Sequence, residues 1–295
     1  MLIKWQAIST DIEAATGLPF KVLSAHALSG GDINVAYRLQ SAQKSFFVKL
    51  NDVDLVSMFE AEFAGLQELA KTNTVRVPVP VVCGKTTEQS YLVLENIELG
   101  GSNKASDGLL GQQLALQHQQ KQPYFGWHRD NTIGSTLQIN SSSNNWQSFW
   151  CEQRLKFQLH LAATNGYIGR LQTDGEHLCN KLVMLFENYQ PQPSLLHGDL
   201  WGGNAAVDKQ GVPVIFDPAC YYGDREADLA MTELFGGFSR YFYDAYQATW
   251  PLDKGYGLRK TLYNLYHILN HLNLFGRGYQ RQAENMMALL LSEIS

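Results

Sequence analysis

No apolar run in this chain reaches the roughly 18 residues that a membrane-spanning helix requires. Residues 1–16 alternate polar and apolar types and do not build the charged, then apolar, then small-residue pattern of a signal peptide. Neither a span nor a leader is expected, and the chain reads as cytoplasmic. Blocks of Lys and Arg are also missing. With 23 basic against 28 acidic residues the formal net charge is −5, which argues against nucleic acid as the main partner. Cysteine is scarce and scattered: Cys83, Cys151, Cys179 and Cys220 form no CxxC pair, so a zinc site and a disulfide framework are not expected, and buried free thiols are. There is no internal repeat and no low-complexity tract, and Ser141-Ser142-Ser143-Asn144-Asn145 reads as a loop before a helix.

The 295 residues exceed what one compact domain usually holds, and the chain changes character part-way along. Residues 21–28, 35–40, 45–50 and 90–95 read as strands. One helix is expected among them over 55–72, with Met58, Phe59, Phe63, Leu66, Leu69 and Ala70 on one stripe. Pro78 and Pro80 confine residues 75–82 to extended or edge geometry. Beyond Gly100, amphipathic stretches at 107–120, 146–164, 176–189, 224–235, 240–249, 258–275 and 280–294 read as helices. The expected class is α+β in two lobes, residues 1–98 strand-rich and residues 99–295 larger and mainly helical.

The densest chemical signal is His197-Gly198-Asp199-Leu200-Trp201-Gly202-Gly203-Asn204, followed by Ile215-Phe216-Asp217-Pro218. Residues 204–207 and 212–216 are short apolar runs around Asp208-Lys209-Gln210-Gly211, a turn sequence, and a hairpin there returns Asp217 to Asn204. An Asp, an Asn soon after it and a second Asp beyond is the order found in phosphoryl-transfer sites. There the first takes the proton of the acceptor hydroxyl and the other two hold magnesium. Mg²⁺ prefers hard oxygen ligands and completes its shell with phosphate oxygens and water, so two protein ligands suffice. Asp199 is therefore expected as the catalytic residue and Asn204 and Asp217 as metal ligands, with Trp201 beside the acceptor. Any one of these residues could merely make a turn; the ordered set carries the reading.

A chain of net negative charge can still bind ATP, which needs local cations only. Lys49 lies in the apolar strand Phe46-Phe47-Val48-Lys49-Leu50, where an ammonium is costly without partners. ATP phosphates and a carboxylate from the following helix would supply them. Glu60 and Glu62 both fall on early turns of that helix; Glu62, beside Phe63 and on the side of Leu66, is favoured and Glu60 stays open. Gly30 and Gly31 can let backbone amides approach phosphate, although Gly-Gly-Asp is also an ordinary hairpin turn. Glu95, Asn96 and Ile97 stand where a two-lobed kinase passes between lobes, which makes their backbone a positional candidate for the adenine edge. Asp224 and Glu226 read as helix caps and Asp228 as a buttress of the catalytic loop. His197 and His271 read as hydrogen-bonding histidines and not metal ligands, with His271 also kept on the substrate side.

The strings Leu196-His197-Gly198-Asp199-Leu200-Trp201-Gly202-Gly203-Asn204, Phe216-Asp217-Pro218-Ala219, Tyr222-Gly223-Asp224, Phe235-Gly236-Gly237-Phe238 and Asn270-His271-Leu272-Asn273-Leu274-Phe275-Gly276 resemble the fructosamine kinase (ketosamine-3-kinase) family. Lys49, Met58-Phe59-Glu60-Ala61-Glu62 and Phe125-Gly126-Trp127 extend the resemblance over nearly the whole chain. It implies a bilobal protein-kinase-like fold and ATP- and Mg²⁺-dependent phosphorylation of the sugar 3-hydroxyl of a small-molecule or protein-linked ketosamine. The resulting 3-phosphate eliminates and frees the amine, so the implied role is protein deglycation. Aminoglycoside and choline kinases share the Asp199, Asn204, Asp217 order and usually lack the Leu-Trp pair and the later Phe-Gly-Gly-Phe. An anionic acceptor pocket for such a polycation could draw on Asp224, Glu226 and Glu233. A non-catalytic kinase fold acting as a binding module commonly loses one of the residues retained here as Lys49, Asp199, Asn204 and Asp217. Some family members carry a redox-active cysteine in the Gly-rich loop; Ser29-Gly30-Gly31-Asp32-Ile33-Asn34 has none, so dimerisation through a disulfide there is not implied.

Overall fold

Residues 3–28 and 33–294 are described by the computed structural model, so Gly30 and Gly31 lie outside the described residues. The first element is a helix that the sequence reading did not anticipate, α1 (Ile3–Thr16). Its Trp5, Ile8 and Ile12 recur at helical spacing and are buried. β1 (Ser24–Leu28), β2 (Val35–Gln40) and β3 (Ser45–Asp52) follow, then α2 (Val56–Ala70), β4 (Pro80–Lys85) and β5 (Gln89–Glu95). The strands form one five-stranded sheet in the order β1-β2-β3-β5-β4, antiparallel throughout. β4 is an edge strand, where Pro80 costs no ladder hydrogen bond.

The two-residue period of β3 decides what faces what. Phe46, Val48 and Leu50 pack with Trp5, Ile8 and Ile12 of α1 in one core. Phe47 and Lys49 therefore point to the opposite face, where α2 lies. There Met58, Phe59, Leu66 and Leu69 of α2 join Leu92 and Leu94 of β5 in a core that runs on into the C-terminal part. The sheet is thus sealed on one side by α1 and joined on the other to the rest of the molecule.

The C-terminal part holds α3 (Lys104–His118), the small hairpin of β6 (Asn131–Ile133) and β7 (Thr136–Gln138), α4 (Trp146–Trp150) and α5 (Lys156–Thr164). A π-helical turn at Cys151–Leu155 links α4 to α5. Next come α6 (Arg170–Lys181), β8 (Ser194–Leu196), β9 (Ala205–Val207), β10 (Pro213–Ile215) and β11 (Tyr221–Gly223), then α7 (Glu226–Leu234), α8 (Arg240–Thr249), α9 (Tyr256–Phe275) and α10 (Gln280–Glu293). β9 pairs with β10 and β11 with β8, both antiparallel, against the helical body. The helix expected over 176–189 instead starts at Arg170, after Gly169 at φ 78°, and tightens into a 3₁₀ turn at Leu182–Phe186. The four cysteines are free, three of them buried, and no helix among the described residues is long and apolar enough to cross a membrane.

Candidate active site

The segment between β8 and β9 turns sharply at Gly198. Its φ is +83°, and a Cβ there would lie 2.0 Å from the Ala219 carbonyl oxygen, so only glycine fits. Asp228, in the first turn of α7, accepts the backbone N–H groups of His197 at 2.7 Å and Gly198 at 2.8 Å. Its Oδ2 also meets His118 Nε2 at 3.1 Å. The buttress read from the sequence is in place. His197 bonds the Phe216 carbonyl through Nε2 at 3.0 Å, and Ala219 N–H donates to the His197 carbonyl at 2.9 Å. These bonds tie the loop carrying Asp199 to the strand exit carrying Asp217.

The β9–β10 hairpin forms as its sequence suggests. Asp208 Oδ1 accepts the N–H groups of Gln210 and Val212, each at 2.9 Å, and closes the turn. Phe216 N–H donates to the Asn204 carbonyl at 3.0 Å, which brings Asn204 and Asp217 to the open end of the hairpin. Asp217 has φ +60°, an uncommon value for a residue with a side chain. Its Oδ1 accepts Lys49 Nζ at 2.5 Å, and Lys49 also donates to Glu62 Oε1 at 2.7 Å. This settles the choice between the two acids on α2: Glu60 instead lies by Arg129 at 3.6 Å. Lys49 is 4% exposed in a central strand. Burial works against its charge, but Asp217 and Glu62 outweigh burial and hold the ammonium protonated.

Asn204 Nδ2 donates to the Asp199 backbone carbonyl at 2.8 Å and to Asp199 Oδ2 at 3.2 Å, which leaves the amide oxygen of Asn204 outside these bonds. Burial, with Asp217 adding its own negative charge, pushes the Asp199 carboxyl up to about 7. Lys49, Glu62, Asp199, Trp201, Asn204, Asp217 and His271 all line one cavity of about 570 Å³ between the sheet and the helical body. One wall is aromatic. The Trp201 ring stands edge-on to Phe235 with centroids 6.3 Å apart, Phe235 lies 4.8 Å from His271, and His271 lies 5.3 Å from Phe275 and 5.2 Å from Tyr279. His271 Nδ1 bonds the His267 carbonyl at 2.8 Å, and burial lowers the basicity of the ring.

The linker residues are placed differently from the rest. Glu95, Asn96 and Ile97 are not among the residues lining the cavity. The Glu95 N–H donates to the Val79 carbonyl at 2.8 Å, and Asn96 Nδ2 donates to Ser45 Oγ at 3.1 Å.

The model of the family described as fructosamine kinase matches residues 4–293. The chain belongs to the fructosamine kinase family. A probable ketoamine kinase of Synechocystis is 48% identical over 284 residues, covering 96% of this chain and 95% of the relative. The chloroplastic protein-ribulosamine 3-kinase of Arabidopsis thaliana is 43% identical, covering 92% of this chain and 83% of the relative. A Haemophilus somnus structure assigned as a fructosamine-3-kinase superposes with a TM-score of 0.90 at 29% identity, covering 97% of both chains. Aminoglycoside phosphotransferase APH(4)-Ia shares the fold, with a TM-score of 0.63 at 13% identity and coverage of 97% and 98%.

The cavity also takes residues that sequence reasoning passed over. Asn131, Thr132, Ile133 and Gly134 enter it from the β6–β7 hairpin. The available signal was short: Thr132-Ile133 and Thr136-Leu137 on either side of Gly134-Ser135. Asn131 Nδ2 donates to the Cys220 carbonyl at 2.7 Å, and Asn140 bridges Asn131 to the buried Arg154, whose Nη2 donates to Asn140 Oδ1 at 2.7 Å. A buried polar network thus fixes this hairpin.

Proposed function

We propose that this chain is an ATP-dependent ketosamine 3-kinase that phosphorylates the sugar 3-hydroxyl of fructosamine or ribulosamine adducts. The observation that carries the acceptor assignment is the charge of the cavity. Its only acidic lining residues, among those described, are Glu62, Asp199 and Asp217, all of them grouped around Lys49 and Asn204. The acids that might have made a polycation pocket are engaged elsewhere. Asp224 accepts the hydroxyls of Tyr189 at 2.9 Å and Tyr263 at 2.5 Å, and Glu226 takes Arg259 through two bonds of 2.7 and 3.0 Å. Glu233 binds the Tyr256 hydroxyl at 2.5 Å and Lys260 at 2.6 Å. What remains beside Asp199 is an aromatic wall with an imidazole of lowered basicity, suited to a sugar and its linkage and not to an aminoglycoside.

In this reading residues 1–98 form the nucleotide lobe and residues 99–295 the catalytic and acceptor lobe. Lys49 meets the α/β-phosphates and Glu62 orients it. The Glu95 N–H is taken by the Val79 carbonyl just before β4, so the linker backbone at Asn96 and Ile97 is the candidate for the adenine edge. The Asn204 amide oxygen and the Asp217 Oδ2 fit a small hard cation, being oxygen donors outside the bonds described above. No three His, Cys, Asp or Glu side chains among the described residues cluster to hold a metal unaided, so Mg²⁺ here would complete its shell with phosphate and water. When bound, Mg²⁺ neutralises charge on the phosphates. Asp199 orients the 3-hydroxyl and takes its proton as the hydroxyl oxygen bonds to the γ-phosphorus and the bond to the β–γ bridging oxygen breaks, releasing ADP. A carboxylate with its affinity for protons raised to about 7 suits that task at neutral pH.

The test is ADP release with MgATP and synthetic fructosyl- or ribulosyl-lysine, with a kanamycin-type aminoglycoside in parallel. Turnover is expected on a ketosamine and not on the aminoglycoside. Asp199→Asn should lower kcat by about 10³-fold while nucleotide binding persists. ATP consumption that is indifferent to the ketosamine would overturn the assignment.

A further inference from the structure

Arg76 joins three segments that also meet through backbone bonds and, between linker and hairpin, through the exposed Lys209–Glu98 ion pair of 2.6 Å. It lies beyond α2, outside the five-stranded sheet, in a stretch that runs alongside the β9–β10 hairpin: Arg76 makes a parallel bridge with Val214, and its carbonyl accepts Ile215 N–H at 3.0 Å. The guanidinium forks between two acids. Nη2 donates to Glu95 Oε1 at 2.6 Å, and Nη1 donates to Asp208 Oδ2. Glu95 is the last residue of β5, where the chain leaves the sheet for the linker, and its other oxygen accepts Val79 N–H at 3.2 Å. Asp208, 2% exposed, closes the turn of the hairpin whose open end holds Asn204 and Asp217.

The linker beyond Glu95 is laced to the same hairpin. Lys209 N–H donates to the Glu98 carbonyl at 3.0 Å, Gly100 N–H donates to the Val207 carbonyl at 2.7 Å, and Leu99 bridges Asp208. None of Arg76, Glu95 and Asp208 lines the cavity. The fork therefore acts from behind the cleft. In the kinase reading a nucleotide reaches from the linker, at its base, to Asn204 and Asp217, at its phosphates, and these contacts tie the two ends of that span together.

We propose that Arg76 is a positioning residue for the nucleotide, a two-pronged clamp that sets the linker against the hairpin bearing Asn204 and Asp217. The proposal rests on the kinase reading above. A planar guanidinium can hold two carboxylates on different elements at once, whereas an ammonium acts as a single point of charge. A preformed span lowers the ordering cost that a ligand bridging it would otherwise meet. The backbone bonds of the linker and the Asp208 turn remain when the fork is removed, so the fold should persist with some loss of stability from the unpaired Asp208, and the loss specific to the clamp should fall on nucleotide affinity.

Two measurements test it: calorimetric binding of MgAMP-PNP to the full chain without acceptor, and steady-state KM values for each substrate with the other saturating. Arg76→Met should weaken nucleotide binding about tenfold, with Arg76→Lys between it and the wild type, and the ketosamine KM should stay within about twofold. Asp208→Asn keeps an oxygen for the turn but loses the charge facing Arg76, so it should weaken nucleotide binding in the same direction if Arg76→Met does not fold. Combined with Arg76→Met it should add almost nothing. Wild-type nucleotide affinity in folded Arg76→Met or Asp208→Asn, or equal rises in both KM values, would overturn the clamp. The binding arm needs no acceptor, so failure of the ketosamine assignment leaves it intact, while a wild-type chain that binds no nucleotide would overturn both.

Discussion

Asp199 meets two opposed demands. As the proposed base it must be ionised to take a proton, yet it sits in a cavity beside Asp217 where a second negative charge is unwelcome. Its carboxyl is raised from the ordinary value near 3.8 to about 7 by burial first and Asp217 second. The consequence for stability has a definite sign. Below pH 4 the group is protonated in both folded and unfolded chains and costs nothing. Between pH 4 and 7 the unfolded chain has lost the proton while the folded chain keeps it, so the contribution of this group to stability declines as pH rises through that window. Above pH 7 the folded protein carries the full cost of the buried anion. Asp199→Asn removes that cost and keeps an oxygen near Asn204. In the absence of nucleotide and divalent cation, the variant should melt about 2–4 °C above the wild type at pH 8, and the two should converge at low pH. Scanning calorimetry at pH 4 and pH 8 decides it: a difference that does not change with pH would show that Asp199 is not the raised group.

At the scale of elements, the close approach of α3 to α8 sets the second prediction. A Cβ on Gly111 would lie 2.1 Å from the Phe242 carbonyl oxygen, a backbone atom that cannot swing aside. Alanine gains about 1 kcal/mol in helix propensity there, but forcing the two helices apart costs about 2–3 kcal/mol, and the clash wins. One turn earlier, a Cβ on Gly108 meets only Tyr241 O at 3.8 Å and Ala245 Cβ at 4.0 Å. Gly108→Ala should therefore raise the denaturation midpoint and Gly111→Ala should lower it, both read by urea titration. The same distinction between local and distant causes explains what was legible in the sequence. The β9–β10 hairpin, β3 with Lys49, and α2 with Glu62 are short-range or periodic features, and the sequence patterns placed them. α1 escaped because Trp5, Ile8 and Ile12 are thinly spread among polar residues, and only the sheet beneath them gives the stripe its meaning. The β6–β7 strands are three residues each, too short for a period-two signal. Arg76 was invisible for a different reason: its partners lie 19 and 132 residues away, and nothing local marks an Arg that will fork.

At the scale of the whole molecule, the cavity is assembled from both halves of the chain, and this gives nucleotide binding a thermal consequence. Lys49 comes from β3 and Glu62 from α2, while Asn204 and Asp217 come from the hairpin against the helical body. The core of α2 and β5 is continuous with that of the helices, so the two parts should unfold together. A ligand touching both then stabilises the single transition by an amount set by its concentration, about 2.7 kcal/mol at one hundred times Kd. For a chain of this size that corresponds to a rise of roughly 5 °C in Tm with MgATP. Lys49→Met should abolish the rise by removing the cation proposed to face the phosphates. It should also lower the Tm of the free protein, because Glu62, 2.7 Å from Nζ in the wild type, loses its counter-charge in a buried position. The two effects separate in a thermal-shift titration: a free protein of reduced Tm with no response to MgATP is expected. A Lys49→Met protein that still gains 5 °C with MgATP would place the phosphates elsewhere in the cavity.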